Sequence, residues 1–110
     1  MKHSAEYYIE HLEMEPHVEG GYFKECLLEK EERNLWSSIY FMLAKGEVSH
    51  FHRLKSDEVW YYHDGNALTI YMIDEAGKLT AAKLGLDLEK GEVPQVLVPK
   101  LSLIHISEPT

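Results

Sequence analysis

Between Tyr22 and Val98 the chain is cut into short pieces by turn chemistry. Lys45-Gly46, Ser56-Asp57, Asp64-Gly65-Asn66, Asp74-Glu75-Ala76-Gly77 and Glu89-Lys90-Gly91 recur at steps of about ten residues. The runs between them favour strands and predict strands at 22–28, 36–44, 48–54, 58–64, 67–74, 78–85 and 95–98. Parallel units would need helical crossovers, and these gaps are too short to hold them. A mainly β sandwich or barrel is what remains. Leu68, Ile70 and Met72 alternate with Thr69, Tyr71 and Ile73, so that strand is expected to be buried largely on both sides.

Ahead of the strands, residues 4–13 read as one short helix. Ser4 can cap it, Glu6 lies in its first turn, and Ala5, Tyr8, Ile9 and Leu12 share a face suited to packing on a sheet. Pro16 follows closely as a stop.

With 110 residues there is room for one domain with one modest core. Asp and Glu outnumber Lys and Arg by 19 to 11, a net charge of −8. With no basic patch to offset it, that balance opposes nucleic acid and anionic membrane surfaces. The single cysteine, Cys26, has no internal disulfide partner, which fits a reducing, cytoplasmic setting. Its place in the run Cys26-Leu27-Leu28 predicts a buried, inert thiol. The N-terminal residues lack the apolar stretch of a signal peptide, and the longest apolar run, 39–44, is too short to span a bilayer.

The chemistry is concentrated in residues 46–65, GEVSHFHRLKSDEVWYYHDG. Period-two alternation predicts that His50 and His52 project to one side of a strand. A tight turn at Ser56-Asp57 would fold strand 58–64 back on strand 48–54, bringing Glu58 beside them. Two imidazoles and a carboxylate suit a divalent metal (Mn, Fe, Ni or Zn) or a general acid–base pair. Trp60 and Tyr62 share the face of Glu58 and could stack on a planar or sugar ligand, although core packing is the expected role of Trp60. Arg53 could pair with a ligand carboxylate or phosphate, but as a neighbour of His52 it is expected to point outward, within reach of Asp57. No P-loop, GxGxxG or nucleophile elbow occurs, so nucleotidase, dinucleotide-dependent and serine-hydrolase classes find no support.

The spacing Gly46-x3-His50-x-His52-x5-Glu58-x6-Gly65 resembles the first motif of the cupin superfamily, with a shorter first spacer and a longer middle one. Upstream, Pro16-His17-Val18-Glu19-Gly20-Gly21-Tyr22-Phe23 precedes it in the order and at the distance seen in cupin family 5, a domain of unknown function. The similarity runs from the N-terminal helix to about Lys100. It implies an RmlC-like jelly roll, a double-stranded β-helix barrel with a short N-terminal helix. It also implies an interior ligand site containing His52 and Glu58. Where this chain has Tyr61, the family tends to carry a histidine.

Three functions fit the resemblance. The first is binding of a small polar ligand, such as a sugar derivative, with isomerase- or epimerase-like acid–base chemistry by His52, Glu58 and Tyr62. In that case His50, His52, Glu58, Trp60 and Tyr62 touch the ligand. The second is a metal enzyme using His50, His52 and Glu58. The third is a non-catalytic scaffold. A homodimer is expected.

The C-terminal decapeptide Leu101-Ser102-Leu103-Ile104-His105-Ile106-Ser107-Glu108-Pro109-Thr110 departs from the family, which continues with a Gly and an aromatic residue soon after Lys100. It resembles the translation of a sequencing adapter. On this reading residues 1–100 are a C-terminally incomplete cupin domain. Residues 101–110 are then a non-native tail that lies loosely, although Leu103, Ile104 and Ile106 are good strand formers.

Overall fold

The computed structural model describes residues 3–30, 34–44 and 46–107, the side chains of 27–30 and 34–36 excepted. Lys45, half of one predicted turn, and tail residues 108–110 lie outside the described residues.

One helix, α1 (Ala5–His11), opens the fold, three residues shorter than residues 4–13 would give. Ser4 caps it by accepting the Tyr7 amide hydrogen. The half-buried residues Ala5, Tyr8, Ile9 and Leu12 form the expected stripe, while Glu6, Tyr7, Glu10 and His11 are exposed.

Among the described residues ten strands follow: β1 (Glu15–Pro16), β2 (Tyr22–Lys30), β3 (Asn34–Met42), β4 (Val48–Arg53), β5 (Glu58–Tyr61), β6 (Leu68–Ile73), β7 (Leu79–Leu84), β8 (Glu92–Val93), β9 (Gln95–Val98) and β10 (Leu103–Ser107). They form three sheets, ordered β1-β2-β3, β4-β10-β6-β7-β8 and β5-β9. Every pairing is antiparallel except β7 with β8. This is the mainly β architecture with one short helix that the turn spacing predicts. All seven predicted strands are present, and β1, β8 and β10 are additions. Among the described residues no helix is long and apolar enough to cross a membrane.

All three sheets contribute to one core. Leu43, Leu54, Ile70, Leu84, Val96, Val98, Ile104 and Ile106 are buried in it, and Phe41, Trp60, Tyr62, Leu68, Met72 and Ala82 pack around them. Ile70 and Ile104 are fully buried and Ile106 almost so. Each such side chain contributes about 1.5–3 kcal/mol by leaving water. Burial along β10 alternates as period two demands, with Ile104 and Ile106 inward and Leu103 and His105 half-buried.

Three expectations are overturned here. Residues 101–107 do not lie loosely. β10 is an inner strand, paired on one side with β4 and on the other with β6. Leu54 is bracketed by it, donating to Ser102 O at 3.0 Å and accepting from Leu101 N at 2.9 Å. The physical reason is the pattern Leu103-Ile104-His105-Ile106, which offers the slot between β4 and β6 an apolar inner face and backbone partners on both sides, unbroken along β6. Second, β4 and β5 are not a hairpin: β4 pairs with β10 and β5 with β9, in separate sheets. The 54–57 connection carries the chain from one sheet to the other, and Asp57 holds its far end by accepting the Lys100 amide hydrogen at 2.7 Å. Third, Cys26 is exposed. A register shift in the β2–β3 ladder between Glu25 and Leu27 breaks the alternation that would have turned it inward.

Candidate functional site

The HxH strand does not alternate cleanly. On β10, Ile104 and Ile106 both face the core, and their partners on β4 are His52 and Ser49, three residues apart. A β-bulge therefore places His50 and Phe51 opposite the single residue His105. The Phe51 ring lies 4.8 Å from the His105 ring on the outer face. Ser49, which is 2% exposed, takes the inward place that period two would give His50. His50 is exposed. His52 is half-buried, opposite the buried Ile104 and two residues before the buried Leu54. Thus only one of the two histidines faces the interior.

That histidine is held in one tautomer. Its Nδ1 lies 2.9 Å from the His50 carbonyl oxygen. A carbonyl only accepts, so in the neutral ring Nδ1 carries the proton and Nε2 presents a lone pair.

β5 supplies the next groups from a different sheet. Glu58 stands opposite the buried Val98 and Trp60 opposite the buried Val96, so both face inward as predicted. The Trp60 indole donates its Nε1–H to Glu58 Oε1 at 3.1 Å, fixing the carboxylate against the strand. Tyr62 also packs against the core, and its hydroxyl donates to the Gly65 carbonyl at 2.5 Å, closing the turn after β5. Burial raises the Tyr62 pKa above its ordinary 10.0, and the charges of Asp64 and Glu92 add to the rise. Arg53 points outward as expected, but it donates to the Leu101 carbonyl at 2.6 Å, while Asp57 is engaged with Lys100.

The upstream string folds into a loop that sits directly on β4. His17 N donates to Gly21 O and Gly20 N to His17 O, making a tight turn in which Gly20 has φ 111° and Gly21 φ 79°. The Glu19 carbonyl accepts the His50 amide hydrogen at 2.8 Å. A side chain on Gly20 would collide with the Val48 carbonyl, so glycine is what allows the loop to lie this close. The two motifs are one structure in space.

The loop also brings in His17, which the spacing argument misses. Its ring meets Phe23 and Phe41 edge-on, at 5.2 and 5.8 Å. Phe41 in turn meets Trp60 edge-on at 5.4 Å. The available signal was the position of His17 just before the paired glycines, where a tight turn would fix an imidazole in place.

A divalent metal fits these residues poorly. Among the described residues, no three His, Cys, Asp or Glu side chains come together as a set that could hold one. The bulge removes His50 from the inward face, and the remaining groups reach the interior from separate sheets. Interior His52 and Glu58 can instead accept and hold protons or hydrogen-bond a polar ligand.

The sequence model of the family described as Cupin superfamily (DUF985) matches residues 6–107, so the match extends through β10. No curated protein matches the chain. The X-ray crystal structure of a protein from Shewanella oneidensis is similar at 51% identity with a TM-score of 0.92, over 98% of this chain and 71% of that one. A hypothetical protein from Leishmania major is similar at 31% identity and a TM-score of 0.86, over 96% of this chain and 70% of that one. With the family matched over nearly the whole chain and the fold shared at this identity, the chain belongs to the cupin superfamily, in the family of unknown function designated DUF985.

Proposed function

We propose that this domain binds a small polar molecule, of the size and chemistry of a sugar derivative, against the inward faces of β4 and β5. His52 acts as proton acceptor in isomerase- or epimerase-like chemistry. The observation that carries this reading is the hydrogen bond between His52 Nδ1 and the His50 carbonyl. It leaves the Nε2 lone pair as the reactive atom of an inward-facing, half-buried ring, the arrangement a general base needs. Glu58 is the second proton-handling group. Its Oε1 is occupied by the Trp60 indole, and Oε2 has no partner among the described residues. Tyr62 serves as a positioning residue, since its hydroxyl is committed to Gly65.

The test has two stages. Thermal melts against a set of neutral aldoses and ketoses should show ligand-dependent stabilisation in the wild type. Incubation of any stabilising sugar in heavy water, followed by proton NMR, should show deuterium entering beside the carbonyl carbon, and His52→Ala should stop it. Stabilisation without deuterium uptake would leave a binding module, and no stabilisation would sink the reading. Calorimetry with Mn, Fe, Ni and Zn at neutral pH completes it. A site with near one equivalent that disappears in both His52→Ala and Glu58→Gln would replace this proposal with a metal-dependent one.

A further inference from the structure

His17 and His52 are held in opposite tautomers. His52 Nδ1 gives its proton to a carbonyl, whereas His17 Nδ1 accepts the Glu19 amide hydrogen at 3.0 Å. An accepting nitrogen bears no proton, so the His17 ring carries its hydrogen on Nε2. Among the described residues that N–H has no partner. None of their buried side-chain nitrogens or oxygens is sealed away unpaired, so the half-buried His17 keeps its Nε2–H open to solvent. From it a continuous strip of rings, Phe41 then Trp60, runs to the Glu58 carboxylate.

We propose that His17 is the hydrogen-bond donor of this site and that the ligand is a neutral, polyhydroxylated ring. Its C–H face lies on the strip, with one oxygen accepting from His17 and one hydroxyl donating to Glu58. The inference rests on the binding function proposed above and adds a residue and a ligand class to it. The chemistry of the strip selects the class. An anion would meet the Glu58 carboxylate, and Arg53, turned outward onto the Leu101 carbonyl, does not offset that charge. A cation has nothing to offer a donor N–H. A hydroxyl-bearing ring supplies an acceptor at one end and a donor at the other, with apolar C–H bonds for the aromatic edges between them.

The experiment uses the full chain with D-glucose, D-galactose, D-mannose and L-fucose as probes. Binding is followed by tryptophan fluorescence, and the imidazole nitrogens by long-range proton–nitrogen NMR. His17→Phe keeps a ring against Phe23 and Phe41 but has no donor, while His17→Gln keeps a donor. At least one sugar should bind the wild type and shift the His17 Nε2 resonance. His17→Phe should weaken that binding roughly tenfold, and His17→Gln should weaken it less. If a sugar binds but leaves the His17 resonance unmoved, or binds His17→Phe within about twofold of wild type, the His17 role is overturned while the site stands. If none of the sugars binds the wild type, the ligand class is overturned with it. Should His17→Phe fail to fold, the Nε2 shift and His17→Gln decide the matter.

Discussion

The Glu19 carbonyl oxygen accepts the His50 amide hydrogen at 2.8 Å, and that bond joins the two sequence motifs of the chain. It lies beside the contact of Gly20 with Val48, so both motifs depend on one glycine.

Gly20→Ala should therefore be severe. The added methyl would strike the Val48 carbonyl in a backbone conformation that alanine resists, and the loop would have to leave β4. Gly46 also has positive φ, at 84°, but nothing lies within 4 Å of its would-be Cβ. Gly46→Ala should cost about 1 kcal/mol and Gly20→Ala about 3 kcal/mol or more. Urea denaturation of the two variants reads the difference directly.

Glu58→Gln preserves an oxygen for the Trp60 indole and should leave the thermal midpoint nearly unchanged while removing proton-transfer activity. Glu58→Ala strands the indole N–H and should cost about 1–2 kcal/mol. Melts run beside the deuterium-uptake assay separate these two consequences.

Leu101 has φ 68°, a left-handed conformation that a branched side chain disfavours. Leu101→Gly should stabilise the fold by about 0.5–1 kcal/mol, the relief of left-handed strain exceeding the added freedom of the unfolded chain. Leu101→Val should destabilise. Chemical denaturation that ranks glycine below leucine would show that the Leu101 side chain contributes more than its backbone strain takes away.

Ile104→Ala should cost about 2–5 kcal/mol, because the side chain is fully buried between β4 and β6. Deleting residues 101–110 should abolish the cooperative melt altogether, since it leaves an inner slot in the sheet. A truncated chain that still melts sharply, with its midpoint within a few degrees of the parent, would mean that β10 is dispensable.

Tyr62 should ionise later than an ordinary phenol in an ultraviolet titration. Its folded pKa lies above the unfolded 10.0, so its contribution to stability is complete below pH 10 and is lost as pH rises through the folded value. Tyr62→Phe should reduce the late phase of the titration, which Tyr8, raised by its hydrogen bond to Asp64, shares, and, with the Gly65 bond gone, should remove about 1 kcal/mol of stability.

Alternation and turn residues were enough to place β4 and β5 and to turn Glu58, Trp60 and His52 inward. They could not place His50, because a bulge depends on the partner strand, and β10 lies far along the chain. The same limit explains the hairpin that did not form. Local turn chemistry at Ser56-Asp57 is compatible with a reversal, but long-range pairing to β9 and β10 decides where each arm goes. Cys26 escaped for a similar reason, with a register shift in β2–β3 breaking the alternation at its position and leaving its thiol exposed. His17 was visible only as a letter in a motif. Its meaning lies in which nitrogen the Glu19 amide occupies.

The position of β10 between β4 and β6 has a kinetic consequence. His52 finds its cross-strand partner, Ile104, about half the chain later, so β4 remains open on that side until the later segment has been made and has arrived. Closing so long a loop is slow compared with forming hairpins such as β6–β7. A nascent chain emerging from the ribosome would expose Leu54 and Ile70 throughout that interval, and docking of β10 is the step that ends its vulnerability to aggregation.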